Sequence, residues 1–190
     1  GDIMEKPIGF TFKNKHSSDF DMYVKSIDRT VKPTMNSSEI TIPGRHGSYD
    51  NNINNTYAPR DIKVKCGSLK NKNWYELRKN IRILAAWLSG NGILIFDDEP
   101  DKMYNAKIYE AMSLEQVELY PGGTFDVTFH CQPFAESVQL NQIHVDSITD
   151  FQMDFNVPNQ GTVETCCTIR IKNNGNSDIN RLVLIRKGEI

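Results

Sequence analysis

The sequence predicts a mainly β fold of the α+β class, a strand-rich, sandwich-like domain braced by one helix. Three observations carry this expectation. Apolar and polar residues alternate in several short segments, the period of a half-buried strand. A single segment carries an apolar stripe at the 3.6-residue period of an amphipathic helix. Gly, Pro, Asn and Asp gather between these segments, where turns need them. With 190 residues, 38% of them hydrophobic, and a formal net charge of −2, the chain can bury one core and begin a second domain.

Ile8, Phe10 and Phe12 alternate with Gly9, Thr11 and Lys13, predicting a first strand. Residues 14–19 carry turn chemistry, and Phe20, Met22 and Val24 alternate again, predicting a hairpin of the two segments. A third strand over 38–42 stops at Pro43-Gly44. From there to Pro59 the chain is polar and rich in Gly and Asn, which reads as a long loop. Connections beyond ~12–15 residues are uncommon and are either functional or mobile. Ile62, Val64 and Cys66 then alternate with lysines.

Trp74, Leu77, Ile81, Leu84, Ala85 and Leu88 form the one helical stripe, with Glu76, Arg78, Lys79 and Arg82 on the other side. Asn71 or Asn73 can cap its start, and Gly90 suits a left-handed stop. A strand over 92–96, an acidic turn over 97–101 and a strand over 103–109 follow. A hairpin is predicted next, from 114–119 through Pro121-Gly122-Gly123 to Phe125, Val127, Phe129 and Cys131 facing inward, with His130 outward and Pro133 ending the run. Residues 4–135 thus read as the first domain. Segments 138–145, 150–155, 162–171 and 181–185 read as further strands without a helix. Residues 136–190 are too few for a closed sandwich of ~100 residues, so they read as an incomplete second β domain, cut short or completed by another chain. Gly1-Asp2-Ile3 reads as an addition ahead of Met4, and no segment reads as a signal peptide.

The chemistry expected is sparse. Twenty-two basic and 24 acidic residues are interspersed and the pI is near 6.1, which argues against a dedicated nucleic-acid binder. The longest apolar stretch, 81–88, is broken by Arg82 and falls short of the ~18 residues of a membrane span. The cysteines Cys66, Cys131, Cys166 and Cys167 show no Cys-x-x-Cys spacing, which favours a reducing compartment over a disulfide scaffold. Cys166 and Cys167 are neighbours in an expected strand, so one is expected to face inward. His16, His46, His130 and His144 fit no zinc pattern. Asp97, Asp98, Glu99 and Asp101 offer hard oxygens, yet Pro100 among them suits a tight turn rather than a calcium loop. No nucleophile elbow or Gly-rich turn precedes a helix. No catalytic residue, cofactor or metal is therefore expected.

Several separated motifs share one order. Glu39-Ile-Thr-Ile-Pro-Gly-Arg-His-Gly-Ser-Tyr-Asp50 is followed by Tyr57-Ala-Pro-Arg-Asp-Ile-Lys-Val64, the helix ending Trp87-Leu-Ser-Gly90, Leu94-Ile-Phe-Asp-Asp-Glu-Pro-Asp-Lys-Met-Tyr-Asn-Ala106 and Phe129-His-Cys-Gln-Pro-Phe-Ala135. Over residues 4–135 the chain resembles the N-terminal domain of the distal tail proteins of phages with long, non-contractile tails, with His46 standing where that family commonly has Asp. The resemblance implies a structural virion protein at the tail tip, made in the cytoplasm of the bacterial host. It implies a hexameric ring around a channel that DNA passes through, joining the tail tube protein to tail-tip and receptor-binding proteins. It further implies that residue 136 begins a galectin-like β-sandwich domain. Phage, prophage and tail-derived bacteriocin origins stay open.

A head-to-tail ring needs two different patches per subunit. Gly44, Arg45, Gly47, Tyr49, Asp50 and Arg60 in the long loop, with Gly122 and Gly123 in the hairpin, are the expected subunit contacts. Asp97, Asp98, Glu99 and Asp101 are the expected channel-facing carboxylates, since a channel that passes DNA should not grip phosphate. The alternative is a carbohydrate-binding host-recognition module. Phe151 and Phe155, the only aromatics after Phe134, give it little to stack sugars on. A cell-wall hydrolase would need paired catalytic residues or a zinc signature, and neither is legible.

Overall fold

The structure is a computed structural model that describes residues 9–50, 55–68, 73–111, 115–116, 123–145, 147–148 and 152–185. Lys13 and Asn14 both hold positive φ (51° and 61°), the geometry of a two-residue hairpin turn matched to strand twist. They join β1 (Phe10–Phe12) to β2 (Lys15–His16), with Phe12 opposite Lys15. A 3-10 turn at Ser17–Phe20 follows, capped by the His16 side chain and ended by left-handed Asp21 (φ 52°). β3 (Met22–Asp28) then runs along β6 (Arg60–Ser68). The expected pairing of the first two segments is therefore replaced: β1 pairs with β2 and with β7 (Gly90–Phe96). The turn residues over 14–19 are spent on a tighter hairpin and a 3-10 cap. Phe20 leaves the strand to stack on Trp87, ring centroids 4.2 Å apart.

The remaining elements are β4 (Glu39–Thr41), β5 (Ser48–Asp50), α1 (Trp74–Trp87), β8 (Lys102–Ile108), β9 (Glu115–Gln116), β10 (Gly123–Cys131) and β11 (Glu136–Ser137). The main sheet is antiparallel in the order β2-β1-β7-β8-β10-β6-β3, with β9 added to β10 and β11 to β8. Asn73 caps α1 by accepting the Glu76 amide at 2.9 Å. Gly90 holds left-handed φ (+72°) but lies two residues beyond the Leu88 cap, opening β7. Only 115–116 of the expected strand over 114–119 is described, and Pro121 and Gly122 lie outside the described residues.

β1 and β10 are separated by β7 and β8, so a flat sheet would hold them about 14 Å apart. Yet the rings of Phe10 and Phe129 meet edge to face at 5.3 Å, and those of Phe12 and Phe129 at 5.5 Å. The sheet is therefore strongly curled around one core. α1 contributes Leu84 and Trp87 to that core, and its C-cap Leu88 joins them beside Ile62, Val64, Leu94, Phe96 and Val127. Trp87 stacks on Phe10 at 5.8 Å and donates its indole N–H to the Phe12 carbonyl at 2.9 Å, satisfying a polar atom that burial would otherwise penalise.

The chain divides into two units, residues 1–141 and 142–190. Among the described residues, none of 138–145, 152–155, 162–171 and 181–185 lies in a strand, contrary to the expectation. Alternation supplies a strand with a face, but a ladder exists only where a neighbour takes its N–H and C=O groups. Their turns do form. Asn159 accepts the Gly161 amide and donates to the Val163 carbonyl, and Asn173 repeats this with Gly175 and Ser177, all at 2.9–3.0 Å. Cys166 and Cys167 are both exposed, not one inward and one outward.

Cys66 and Cys131 are buried. Burial pushes both thiols from 9.0 up to about 12, with Asp126 adding to the effect at Cys66. Unfolding would release them to ionise at 9.0, so their contribution to stability is complete below pH 9 and is lost as pH rises towards 12. Unfolding midpoints measured across that window should fall with pH, and less steeply in a Cys66→Ala/Cys131→Ala variant. In native protein a thiol reagent should modify two of the four cysteines, and all four after denaturation. Phe129→Ala should cost about 3–5 kcal/mol in urea unfolding.

Candidate functional site

The long polar segment after Pro43 is not a simple loop. Ala58 N–H donates to the Thr34 carbonyl at 2.8 Å and Asn36 N–H to the Thr56 carbonyl at 2.9 Å, with Met35 bridged to Tyr57. Further out β4 and β5 pair, Glu39 with Asp50, Ile40 with Tyr49 and Thr41 with Ser48. Ile42 to Arg45 closes the reversal, the Arg45 amide reaching the Ile42 carbonyl at 3.1 Å. Gly44 (φ +84°) takes the position after Pro43 that requires positive φ. The result is an exposed two-stranded arm. β4 lies within the strand expected over 38–42, while β5 escaped the pattern reading because a ribbon with no buried face carries no long alternation.

Strand alternation places Ile40 and Tyr49 together on one face of the arm and Glu39, Thr41, Ser48 and Asp50 on the other. Ile40 and Tyr49 are 53% and 60% exposed. The Arg45 guanidinium lies over the Tyr49 ring at 5.8 Å. Ser48 donates to the Glu39 carboxylate at 2.8 Å.

Arg60 belongs to the arm's root, not its tip. It donates to the Thr30 carbonyl at 3.0 Å and stacks on Tyr104 at 4.9 Å, while its buried Nε has no hydrogen-bond partner among the described residues. Tyr57 meets Phe134 edge to face at 5.1 Å beside it. Gly123 is a buried ladder residue of β10 opposite Ser68, and Gly122 lies outside the described residues. Gly44, Arg45, Gly47, Tyr49 and Asp50 thus come together on the arm, and Arg60 and Gly123 do not join them.

The acidic turn is tied down. Asp97 accepts the Gly9 amide at 3.0 Å and faces His16 Nε2 at 3.1 Å. A Cβ on Gly9 would stand 2.7–2.8 Å from both side chains, so the close approach needs glycine. Asp98 and Glu99 pair with Arg29, which itself stacks on Phe96 at 4.8 Å. Tyr104 donates to Glu99 at 3.0 Å, and burial followed by that bond raises its phenol. Asp101 is exposed, and its hydrogen bond from Lys102 holds its carboxyl below the usual range. The His16–Asp97 contact, 81 residues apart in sequence, left no legible signal. Ser18 lies 2.6 Å from His16 Nδ1, yet that nitrogen also takes the Ser18 amide and completes a capping box with Asp19. These contacts form a helix cap joined to a strand tie.

Among the described residues no cluster of His, Cys, Asp or Glu can hold a metal, and no helix is long and apolar enough to cross a membrane. A curled antiparallel sheet, a bracing helix and an extended arm define a mainly β protein of the α+β class. The chain belongs to the phage tail protein RIFT-related domain family, whose pattern matches residues 12–131. It is thus a structural component of the phage tail, located in the virion. The fold is similar to the crystal structure of the SPP1 Dit (gp 19.1) protein, with a TM-score of 0.58 and 19% identity over 68% of this chain. The match spans 52% of that protein. No curated protein matches the chain.

Asp97→Ala should lower stability by about 1–2 kcal/mol, since it strips a part-buried amide of its acceptor. Asp101→Ala should leave the unfolding midpoint unchanged, because its ion pair is exposed. Thermal or urea unfolding of the two variants side by side checks this contrast.

Proposed function

We propose that the chain is a distal-tail hub component whose copies close head to tail into a hexameric ring around a channel for DNA. The ring would join the tail tube protein to tail-tip and receptor-binding proteins, and residues 136–190 would begin an outward β-sandwich domain. The observation that carries this reading is the arm, a two-stranded ribbon with an apolar face left exposed. Such a ribbon is marginal alone and gains stability when another surface covers it. The similar SPP1 protein is described as the paradigm of a hub adsorption apparatus in phages infecting Gram-positive bacteria, which supports a hub role here.

The sheet edges are poor rivals as contact sites. β3 is an edge strand whose register shifts between Val24 and Ser26, leaving Lys25 at the irregularity. Bulges and lysines on edges discourage strand addition. β2, at the other edge, has only two residues. The four acidic residues expected to face the channel all have partners within the fold: Asp97 meets the Gly9 amide and His16, Asp98 and Glu99 share Arg29, and Asp101 pairs with Lys102. One guanidinium and one ammonium among four carboxylates leave the turn acidic, as suits a channel that does not grip phosphate.

Arg45→Ala with Tyr49→Ala should convert assembled protein to smaller species in light scattering, with the unfolding midpoint unchanged. An unaltered assembly mass would remove the arm from the contact. Purified protein should show no duplex-DNA binding in a gel-shift assay at physiological salt. In electron micrographs of tails, a label on this chain should lie at the far end of the tube; a label in the head or along the shaft overturns the reading.

A further inference from the structure

We propose that Asn174 is a site of spontaneous covalent modification, its side-chain amide displaced by the backbone nitrogen of Gly175 to form a cyclic imide that water then opens. Asparagine is among the thermally labile side chains, and a following glycine, having no Cβ, leaves the attacking nitrogen unshielded. The sequence holds Asn-Gly at two places, Asn91-Gly92 and Asn174-Gly175. Their surroundings differ.

Asn91 and Gly92 lie in β7, in register with Lys107 and Ala106 of β8. Closing the imide swings the glycine nitrogen onto the asparagine side chain, which would pull both residues out of the ladder. Gly92 is also tightly packed: a Cβ there would stand 2.6 Å from the Lys13 side chain and 3.0 Å from the Phe12 ring. Asn174 and Gly175, in contrast, are exposed and lie outside any strand. The Gly175 amide donates to the Asn173 side-chain oxygen at 2.9 Å, an exposed bond within the turn. Among the described residues, a Cβ on Gly175 would meet that same oxygen alone, at 3.2 Å. The turn at Gln160-Gly161 is a matched control, because Asn159 makes the same pair of bonds there that Asn173 makes here. Its central glutamine would have to close a six-membered ring in place of the five-membered imide, which is far slower.

The atoms balance with water as the only co-reactant. The Gly175 nitrogen loses its proton to hydroxide and bonds to Asn174 Cγ. The Cγ–Nδ2 bond breaks, and the amide nitrogen leaves as ammonia after taking a proton from water. Water then adds to the imide: opening at Cγ gives aspartate, and opening at the main-chain carbonyl gives isoaspartate. Either product adds a carboxylate to an exposed turn. Isoaspartate also lengthens the main chain by one methylene, which upsets the spacing behind the Asn173 bonds to Gly175 and Ser177.

The test incubates the folded full chain at mildly alkaline pH and maps its peptides by tandem mass spectrometry. Labelling with a protein-isoaspartate methyltransferase distinguishes the two products. Asn174 should convert at least tenfold faster than Asn91, giving both aspartate and isoaspartate, with Gln160 unchanged and an acidic band growing in isoelectric focusing. In chain unfolded with guanidinium, Asn91 should rise to the rate of Asn174. Asn174→Gln should remove the acidic band from the folded protein. Equal rates at Asn91 and Asn174 in the folded chain overturn the proposal, as does an unmodified Asn174. Aspartate formed without isoaspartate indicates direct hydrolysis and overturns the imide route.

Discussion

The contact of Phe10 and Phe12 with Phe129 governs the rest of this structure. These rings belong to strands separated by two others, and they meet only because the sheet curls until its inner face encloses them. Trp87 closes the enclosure from the helix side, stacked on Phe10 and hydrogen-bonded to the Phe12 carbonyl. Aromatic pairs in this geometry add to the stabilisation from buried area. Flattening the sheet would separate all of them at once, so the curl and the core stand or fall together.

That curl decides what the two ends of the sheet present. At one end the acidic turn folds back onto Gly9, His16 and Arg29, and the aromatic stacks of Arg29 and Arg60 seal the edge of the core. The carboxylates there are tied to neighbours and serve the fold. The arm leaves from this same end, anchored by Arg60 and Tyr57. At the other end β2 and the close of α1 frame an open, lysine-rimmed hollow. A structural tail protein works by contact, and these two ends carry exposed apolar side chains, Ile40 and Tyr49 on the arm and Ile83 in the hollow.

Residues 142–190 follow a different logic. Two Asn-x-Gly turns are formed with the same hydrogen bonds, yet the segment between them has no ladder and its Val163, Ile169 and Ile171 are exposed. Turns are local and need only their own four or five residues. A strand needs a partner from elsewhere, and this unit supplies none among its described residues.

Periodicity alone determined α1, the inward set Phe125, Val127, Phe129 and Cys131, and the mainly β class, because each depends on spacing within a single segment. The order of several separated motifs, not periodicity, carried the family resemblance. Tertiary structure decided the partners. It sent Phe20 to Trp87 instead of into a hairpin, set Arg60 at the arm's root beside Thr30 and Tyr104, and joined Asp97 to His16 and Gly9. It also revealed β5 in what read as loop. The physical reason is that side-chain period is a local property, while strand pairing and charge compensation are settled between segments tens of residues apart, where only the curl of the sheet brings them within reach.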